Sequence, residues 1–498
     1  MNTNSRFLRK SLLLLSGAIL LNSCGSNNSS VTGWNYDDPK MGGFQYVPYA
    51  DQENGPGLIL VEGGTFSMGR SEQDVTYEWN NIPRRVTVSS FYLDETEMTN
   101  NHYREYLYWT RNVFGADYPE VYKKALPDTL VWREKMSFNE PYVDYYFRHP
   151  AYNDYPVVGI NWIQANNFCL WRTDRVNEFI LYREGLIDLD PASWVNENNF
   201  NTDAYLAGQY EGAVKVNLPD FNPKGSGERK VRMEDGILLP KYRLPTEAEW
   251  EFAAFALIGN AVQERVVQRR LYPWNGHYVR NDQDQYIGQM MANFKRGRGD
   301  NMGVAGALND NADVTAPVFS YWPNDYGLYN MAGNVSEWVM DTYRPLSAED
   351  KNDFRAFRGN EFETQIRDEE GNIVEKDSLG KIKTRPVGLE IDNLAERRNY
   401  KKADNINYLD GDVQSSIFYT EGAEAEANRA GKMVYDYGTA SLINDHAKVF
   451  KGASWKDRVY YLNPATRRYL DQKQSTSTIG FRCAMTRVGS PVGMGGSN

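Results

Sequence analysis

Thiolate and imidazole side chains carry much of the nucleophilic and redox chemistry of proteins, and both are scarce in this chain. Its 498 residues include 3 cysteines and 4 histidines, namely Cys24, Cys169, Cys483, His102, His149, His277 and His446. No two histidines stand at a spacing typical of metal ligands, so each is interpreted as a structural or surface residue. Acidic residues are plentiful, but spacing alone does not assign an acid–base role to neighbours such as Asp94 and Glu95.

One segment near the C-terminal end has the form of a reaction centre. Residues 451–468 read KGASWKDRVYYLNPATRR, in which a turn of small residues, Gly452 to Ser454, precedes aromatic and basic residues. The segment contains neither a thiolate nor an imidazole. Whether it carries chemistry therefore depends on the residues that follow the turn, Lys456 to Leu462.

The first 25 residues have the pattern of an export signal. A basic start, MNTNSRFLRK, precedes the apolar run SLLLLSGAILL, which is too short for an ordinary membrane-spanning helix. The run ends in LNSCG, which resembles a bacterial lipobox, so residues 1–23 are predicted to be a signal peptide and Cys24 a lipidated residue. The alternative is a plain secretory signal with an incidental cysteine. Residues 24–56 are predicted to be a tether, and the rest, without a long apolar stretch, to be extracytoplasmic.

The composition favours a large, folded and loop-rich protein. Apolar residues make up 41% and aromatic residues 13% of the chain, and 41 glycines and 21 prolines indicate short regular elements. The net charge of −11, without a block of basic residues, argues against a nucleic-acid-binding protein. If Cys24 carries lipid, the two remaining cysteines permit one disulfide in an oxidising compartment, and two buried free thiols are the alternative.

Alternating strand patterns and helix caps predict an irregular α+β fold that is poor in regular secondary structure. Strands are expected in LILVEGGTFSMG and in RRVTVSSFYLDETEMTN. Helices are expected after the N-capping residues Thr99, Asn161 and Thr246. Residues 178–240 and 343–445 are polar or strongly charged and are predicted to be two long insertions, and residues 488–498 a flexible tail.

Seven strings resemble, in the same order, the formylglycine-generating-enzyme (sulfatase-modifying factor) domain family. They are VEGGTFSMG, RRVTVSSFYLDETEMTN, PVVGINWIQANNFCLW, RLPTEAEWEFAA, YGLYNMAGNVSEW, VFKGASW and TIGFRCA. The resemblance spans residues 57–487, the two insertions excepted. It implies a compact fold related to that of C-type lectins.

The same resemblance implies partners for several residues. It implies a disulfide between Cys169 and Cys483, and structural calcium bound by oxygen atoms. The expected calcium ligands are Asn330, Gly333, Val335 and Glu337 at a first site, and Asn293, Phe294 and Asp310 at a second. The alternative is that these oxygens only cap turns through hydrogen bonds.

The chain departs from the family's pattern where catalysis is expected. Enzymes of the family oxidise a substrate cysteine with copper, which two thiolates hold just after a GGS-[FW] turn, because Cu(I) is a soft ion. Here the turn is GASW, and Asp457, Tyr461 and Leu462 occupy the space where the thiolates would be. Since the resemblance assigns Cys169 and Cys483 elsewhere, the chain is predicted to bind no copper and to be a pseudoenzyme.

Further strings are VTGWNYDDPKMGGFQYVPYADQENGPGLILVEGGTF, ALPDTLVWR, RHPAYNDYPVVGINW and WRTDRVNEF. With the lipoprotein signal and this domain, they resemble a narrower group, the lipoproteins of gliding motility and type IX secretion, and are more like the GldJ type than the GldK (PorK) type. The resemblance implies an outer-membrane lipoprotein that faces the periplasm and belongs to a large ring-like complex with other envelope proteins. The charged insertion 343–445 contains aromatic residues and is the expected contact surface. Two alternatives remain open: an active oxidase of protein cysteines, and a lectin-like glycan-binding lipoprotein.

Overall fold

The computed structural model describes most of the chain between Asn28 and Gly489. The described residues are 28–70, 80–257, 270–297, 312–343, 360, 362–386, 417–418, 432–433 and 446–489. Cys24, Asp310, most of the predicted insertion 343–445 and the tail from residue 490 onward lie outside the described residues.

The three longest described helices begin at the caps that the sequence predicts. The α-helices are α1 (Asn100–Phe114), α2 (Pro119–Ala125), α3 (Trp162–Arg183), α4 (Thr202–Leu206) and α5 (Glu247–Phe255). Thr99 caps α1, and Asn161 and Thr246 each form a reciprocal capping box at the start of α3 and α5. These side chains satisfy amide groups that the first turn of a helix leaves unpaired. Among the described residues, no helix combines the length and the apolar surface that crossing a bilayer requires.

Short strands make up the rest of the regular structure, as the glycine-rich and proline-rich sequence indicates. The strands are β1 (Leu58–Val61), β2 (Gly64–Met68), β3 (Arg84–Val88), β4 (Phe91–Asp94), β5 (Leu218–Pro219), β6 (Glu228–Arg229), β7 (Tyr242–Arg243), β8 (Ser336–Thr342), β9 (Glu363–Gln365), β10 (Thr384–Pro386), β11 (Ile417–Phe418), β12 (Lys432–Met433), β13 (Ala447–Lys451), β14 (Arg468–Asp471), β15 (Ile479–Gly480) and β16 (Ala484–Thr486). The prediction of mixed helix and strand content is confirmed.

Two four-stranded sheets organise the core. Their strand orders are β1-β4-β16-β7 and β14-β13-β8-β15, and β2 pairs with β3 alone. Helix α5 packs against β2, β3, β8 and β13, so it joins the β2–β3 pair to the second sheet. Because β16 lies between β4 and β7, the last described strand of the chain completes a sheet that begins near its start.

Apolar side chains from these elements form two large clusters. One contains Tyr103 of α1, Phe168 of α3 and Phe481, with ring centroids 5.7 Å apart for Tyr103 and Phe168 and 5.3 Å apart for Phe168 and Phe481. The other contains Trp250 of α5 and Val339 of β8. Helices α1 and α3 thus pack with the C-terminal residues around Phe481, where the two cysteines also lie.

The predicted insertion 178–240 has a small core of its own. Its first residues belong to α3, which continues to Arg183. Beyond this helix, Phe200, Tyr205 and Tyr210 pack ring against ring at centroid distances of 5.2–5.9 Å. This part of the chain is therefore folded against the end of α3.

Described residues of the predicted insertion 343–445 contact that small core. The side-chain amide of Gln209 donates to the carbonyls of Ile373 (3.1 Å) and Val374 (3.3 Å), and its oxygen accepts the amide of Lys376 (2.8 Å). Asn199 also donates to the carbonyl of Leu379 (3.0 Å). The two segments that the sequence separates by about a hundred residues are therefore neighbours in space.

A buried ion pair joins α3 to this small core and gives it a pH dependence. Arg175 donates to Glu178 at 2.6 Å and to the carbonyl of Phe200 at 2.9 Å, and its guanidinium lies 4.5 Å from the centroid of the Trp109 ring. Burial raises the pKa of Glu178 to about 7, and the nearby Asp174 adds to this rise. The carboxylate is therefore less favoured in the folded protein than in the unfolded chain.

We expect Glu178→Gln to flatten part of the pH dependence of stability. Because the pKa of Glu178 is raised on folding, its contribution is fully present below pH 4.5 and is lost as pH rises toward 7. The glutamine oxygen can still accept the Arg175 hydrogen bond but does not titrate. Urea unfolding at pH 4.5 to 7.5 should show the wild type losing about 2–3 kcal/mol more than the variant over this range.

The control is Glu184→Gln, which changes an exposed residue just beyond the same helix. It should change the free energy of unfolding by about 1 kcal/mol or less, because its ion pair with Arg183 is exposed. Parallel curves for Glu178→Gln and the wild type would show that folding does not raise the pKa of Glu178.

Candidate functional site

The turn after β13 is closed by its own polar groups. The amide and the hydroxyl of Ser454 donate to one carboxylate oxygen of Asp457, at 2.8 and 2.7 Å. Gly452 has a φ of +75°, and a Cβ at this position would lie 3.2 Å from the Trp250 ring. A residue other than glycine would therefore be strained here and would press on the tryptophan.

Arg468 clamps this turn against β8. Its guanidinium donates to both oxygens of Asp457 (2.8 and 2.9 Å), to the hydroxyl of Ser336 (2.8 Å) and to the carbonyl of Gly452 (2.8 Å). The guanidinium also lies over the rings of Phe450 and Tyr461. This set of contacts, called the Arg468 clamp below, uses both oxygens of the Asp457 carboxylate.

The other residues that follow the turn are packed or paired as well. Leu462 is fully buried in an apolar cluster with Ala453 and Phe294. Trp455 stacks on Trp132 with ring centroids 6.0 Å apart, and its indole donates to the carbonyl of Ser477 (3.0 Å). The resemblance places Asp457, Tyr461 and Leu462 where thiolates are expected in enzymes of this kind. A carboxylate, a phenol and a leucine are unsuitable ligands for a soft copper ion. The side chains of this turn therefore do not fit a copper site.

A second cluster of charged side chains, buried next to the turn, consists of Lys451, Glu247, Glu251 and Arg467. The ammonium of Lys451, the residue before Gly452, lies 2.8 Å from Glu251 and 3.5 Å from Glu247, and the Lys451 side chain is fully buried. Glu251 also accepts the amide of Gly69 (2.6 Å), and Arg467 pairs with Glu247. These contacts tie α5, β2 and β13 together.

Asp310 apart, the expected calcium ligands lie in or near one buried loop, residues 330–337. The side-chain amide of Asn330 donates to Glu97 (2.9 Å), and the side-chain amide of Asn334 donates to the same carboxylate (3.1 Å). The carbonyl of Asn293 accepts the amide of Asn334 (2.9 Å). Gly333 has a φ of +88°, and a Cβ there would lie 2.6 Å from the Asn293 carbonyl oxygen. The structure thus brings residues of the two expected sites into contact.

Glu337, the carboxylate expected to bind calcium, makes its described contacts with nitrogen donors. Arg482 donates to its two oxygens at 2.6 and 2.7 Å, and the indole of Trp250 donates to one of them at 2.7 Å. Glu337 and Arg482 are both buried. The positive charge of Arg482 therefore already neutralises the Glu337 carboxylate, whose negative charge a bound calcium ion would require.

The oxygen atoms of this loop suit a hard cation in type, but the contacts of Glu337 do not suit a ligand role. The described residues contain no group of three or more His, Cys, Asp or Glu side chains that could hold a metal ion. Val335 packs against Trp455 and Trp132, Phe294 is buried, and Asp310 lies outside the described residues. The calcium ligands therefore stay a prediction.

The sequence did not single out Glu97, Asn334 or Arg482. Burial, with a contribution from the charge of Glu337, raises the pKa of Glu97 to about 8. Its position in DETEMTN, between a strand and a capped helix, gave no sign of contact with residues more than two hundred positions away. The contacts among Glu97, Asn334 and Arg482 become visible only when the folded structure brings these parts of the chain together.

The two cysteines that the resemblance pairs are neighbours in the core. The sulfur atoms of Cys169 and Cys483 lie 3.2 Å apart, and both residues are fully buried free thiols in this structure. Burial raises the pKa of the Cys483 thiol. The structure therefore places Cys169 next to Cys483, while a disulfide between them stays a prediction, as does lipidation of Cys24.

The four histidines serve separate local roles. The His149 ring accepts the amide of Ala151 (3.1 Å), and the His446 ring contacts the side chain of Gln472 (3.1 Å). His102 lies in the first turn of α1, and both His102 and His277 are exposed. These positions agree with the interpretation of the histidines as structural or surface residues.

An irregular α+β domain with the GASW turn and the adjoining YGLYNMAGNVSEW loop defines a class of proteins related to formylglycine-generating enzymes. The chain belongs to the sulfatase-modifying factor enzyme 1-like domain family, whose model matches residues 44–385. The matched range covers more than half of the chain.

The relatives include both active and inactive proteins. The chain is 25% identical over 307 residues to the formylglycine-generating enzyme of Mus musculus, covering 59% of this chain and 63% of the mouse protein. It is 24% identical over 327 residues to the inactive Cα-formylglycine-generating enzyme 2 of Mus musculus. That match covers 61% of this chain and 73% of the mouse protein. The match thus spans less than two thirds of the mouse enzyme.

Solved structures also resemble the fold at low identity. PvdO from Pseudomonas aeruginosa matches with a TM-score of 0.39 and 15% identity, covering 86% of this chain and 94% of PvdO.

Proposed function

We propose that this chain is a non-catalytic, lipid-anchored outer-membrane protein that serves as a structural component of the gliding-motility and type IX secretion machinery. It would be anchored through Cys24, face the periplasm and bind other envelope proteins of a ring-like complex. The lipobox-like N-terminus and the sequence strings shared with this group of lipoproteins support the assignment to that machinery.

The observation that carries the non-catalytic role is the state of Asp457 and Leu462. Both oxygens of Asp457 accept hydrogen bonds from Arg468 and Ser454, and Leu462 is fully buried among apolar residues. Neither side chain is available as a copper ligand. The existence of relatives named inactive, 24% identical to this chain in mouse and in Bos taurus, supports a family in which catalysis is dispensable.

The surface that remains for partners includes the two predicted insertions. Their described parts contact each other, because Gln209 and Asn199 bind backbone groups of residues 373–379, so the exposed residues of the two segments lie on the same part of the molecule. A surface built from two chain segments on a rigid core suits a scaffold role, since interaction residues are commonly carried on such segments.

The test is to delete the gene in the bacterium that produces the protein and then to complement the deletion strain with the wild-type gene or a variant. Deletion should abolish secretion and gliding or deplete partner proteins, and complementation with the wild type should restore both. Asp457→Asn should restore them equally, because the asparagine keeps an acceptor for the clamp and no catalysis depends on the carboxylate. Immunoblots should confirm equal amounts of protein.

Normal secretion and gliding in the deletion strain would contradict the proposal. Stoichiometric copper in the purified protein, with turnover of a cysteine-containing peptide, would favour the active-oxidase alternative. Binding to a glycan array would favour the lectin-like alternative. Each outcome is read from a different measurement.

A further inference from the structure

Residues 28–49 form a folded segment rather than an open tether. Ser29 and Trp34 are joined by a backbone hydrogen bond (2.8 Å), as are Asp37 and Phe44 (2.8 Å). The side chain of Asp37 also accepts the amide of Tyr46 (3.0 Å). This stretch, called the aromatic segment below, therefore holds its side chains in a defined arrangement.

The aromatic segment exposes an unusual number of large apolar side chains. Val31, Trp34, Phe44 and Tyr46 are 90%, 59%, 66% and 51% exposed, and Met41, Val47 and Tyr49 are also exposed. The ring of Tyr36 packs between those of Phe44 and Tyr46, at centroid distances of 5.4 and 5.3 Å. Such clustering on a surface marks a contact site, whereas single exposed apolar residues need no explanation.

The segment is fixed to the body of the domain. A Cβ on Gly43 would lie 1.9 Å from the carbonyl oxygen of Phe221, so the two backbones are in close contact. The side-chain oxygen of Gln45 accepts two hydrogen bonds from Arg229 (2.8 and 3.0 Å), and Glu53 pairs with Arg183 through both of its oxygens (2.7 Å each). The exposed rings are therefore held at one place on the molecule.

The distance along the chain limits what can cover these rings. Only residues 25–27 lie between Cys24 and the first described residue, Asn28. Four extended residues span at most about 14 Å, so a lipid on Cys24 would hold Asn28 within that distance of the bilayer surface. The rings belong to Trp, Tyr and Phe, of which Trp and Tyr are enriched where lipid head groups meet acyl chains.

Charge argues for contact with the apolar part of the interface rather than for electrostatic attraction. Between residues 28 and 49 the charged residues are Asp37, Asp38 and Lys40. This set has a net negative charge and would gain nothing from anionic lipid. Any attraction to a membrane must come from the rings.

We infer that the aromatic segment lies in the membrane interface and fixes the orientation of the domain on the lipid surface. This inference rests on the lipid anchor of the proposed function and adds to it a second, non-covalent contact with the bilayer. The acyl chains on Cys24 would attach the protein to the bilayer. Trp34, Phe44 and Tyr46 would fix the orientation of the domain relative to the membrane plane. The residues 217–229 that hold the segment would then lie next to the membrane.

The first experiment uses the lipidated protein purified from its envelope and reconstituted into phosphatidylcholine vesicles. Brominated phosphatidylcholine quenches the fluorescence of tryptophans that touch the acyl chains. The wild type should be quenched, and Trp34→Phe should lose most of that quenching. Trp322→Phe, which changes a partly buried tryptophan of the C-terminal half, is the matched control and should keep it. The quenching should be equal in low and in high salt, because no basic cluster is involved.

The second experiment identifies the occupant in the intact envelope. A benzoylphenylalanine photocrosslinker at position 44 should form adducts with phospholipid, and one at position 108, which is also exposed, should not. Adducts with a second copy of the chain or with another protein would overturn the inference. Equal quenching of the wild type and Trp34→Phe would overturn it as well, as would a mass spectrum that shows Cys24 without lipid.

The outcomes separate this inference from the proposed function. A protein that shows quenching of Trp34 but is dispensable for secretion retains the membrane contact and loses the secretion role. A protein that is needed for secretion but shows no quenching of Trp34 retains the role and loses the contact.

Discussion

Glu337→Gln is expected to lower the free energy of unfolding by about 3–5 kcal/mol. Arg482 is fully buried, and its guanidinium donates two short hydrogen bonds to the Glu337 carboxylate, at 2.6 and 2.7 Å. A glutamine keeps the shape but removes the charge that is hydrogen-bonded to the buried guanidinium, and its amide group would face an N–H donor. Chemical denaturation of the purified protein, with circular dichroism, measures the loss.

A double-mutant cycle separates this pair from its surroundings. Arg482→Met alone should also be costly, because Arg482 donates to the carbonyls of Asp94 (3.0 Å) and Tyr329 (2.8 Å) as well. The double variant should lose less than the sum of the two single variants, since neither charge is then left buried alone. Strictly additive losses would show that the two side chains do not interact.

Lys451→Met is expected to be the second strongly destabilising change, by about 3–5 kcal/mol. The methionine fills a similar volume but removes the cation that lies 2.8 Å from Glu251 in a site without solvent access. Glu251 would then depend on its hydrogen bonds from Gly69 and Asn81. Thermal and denaturant unfolding of the variant should both show the loss.

The matched control is Lys456→Met, five residues along the same segment. Lys456 pairs with Glu134 at the surface, where both side chains are more than 40% exposed. Exposed pairs contribute about 1 kcal/mol or less, so this variant should be close to the wild type. If both lysine variants lose the same stability, the buried cluster has no special role.

The helices could be predicted because their N-capping residues act on neighbouring amide groups. The buried ion pairs could not, because their members are far apart in the sequence. Thr99, Asn161 and Thr246 act within three residues of themselves, so the sequence alone identifies them as caps. Glu337 and Arg482 are separated by 145 residues, and no local pattern connects two charges at that separation.

The candidate site was predictable in part for the same reason. The sequence showed that residues 456–462 contain no thiolate, which is a statement about residue types. It did not show that Arg468 binds Asp457, eleven residues earlier, because that contact depends on how the intervening turn folds. It did not show that Glu97 contacts Asn330 and Asn334, because those residues are more than two hundred positions apart in the chain. The described residues of the second predicted insertion include the antiparallel pair β9 and β10, and their contacts with Gln209 and Asn199 of the first insertion were not visible in the sequence.

The position of β16 between β4 and β7 sets the order in which the domain can form during synthesis. The strand supplies hydrogen bonds to residues almost four hundred positions earlier, so β4 has no partner on that side until residue 486 has left the ribosome. Contacts of this separation close large loops before they gain any energy, which makes folding slow. The sheet that contains β1 and β4 is therefore joined to β7 only when the chain is nearly complete, although β1 and β4 can pair with each other long before.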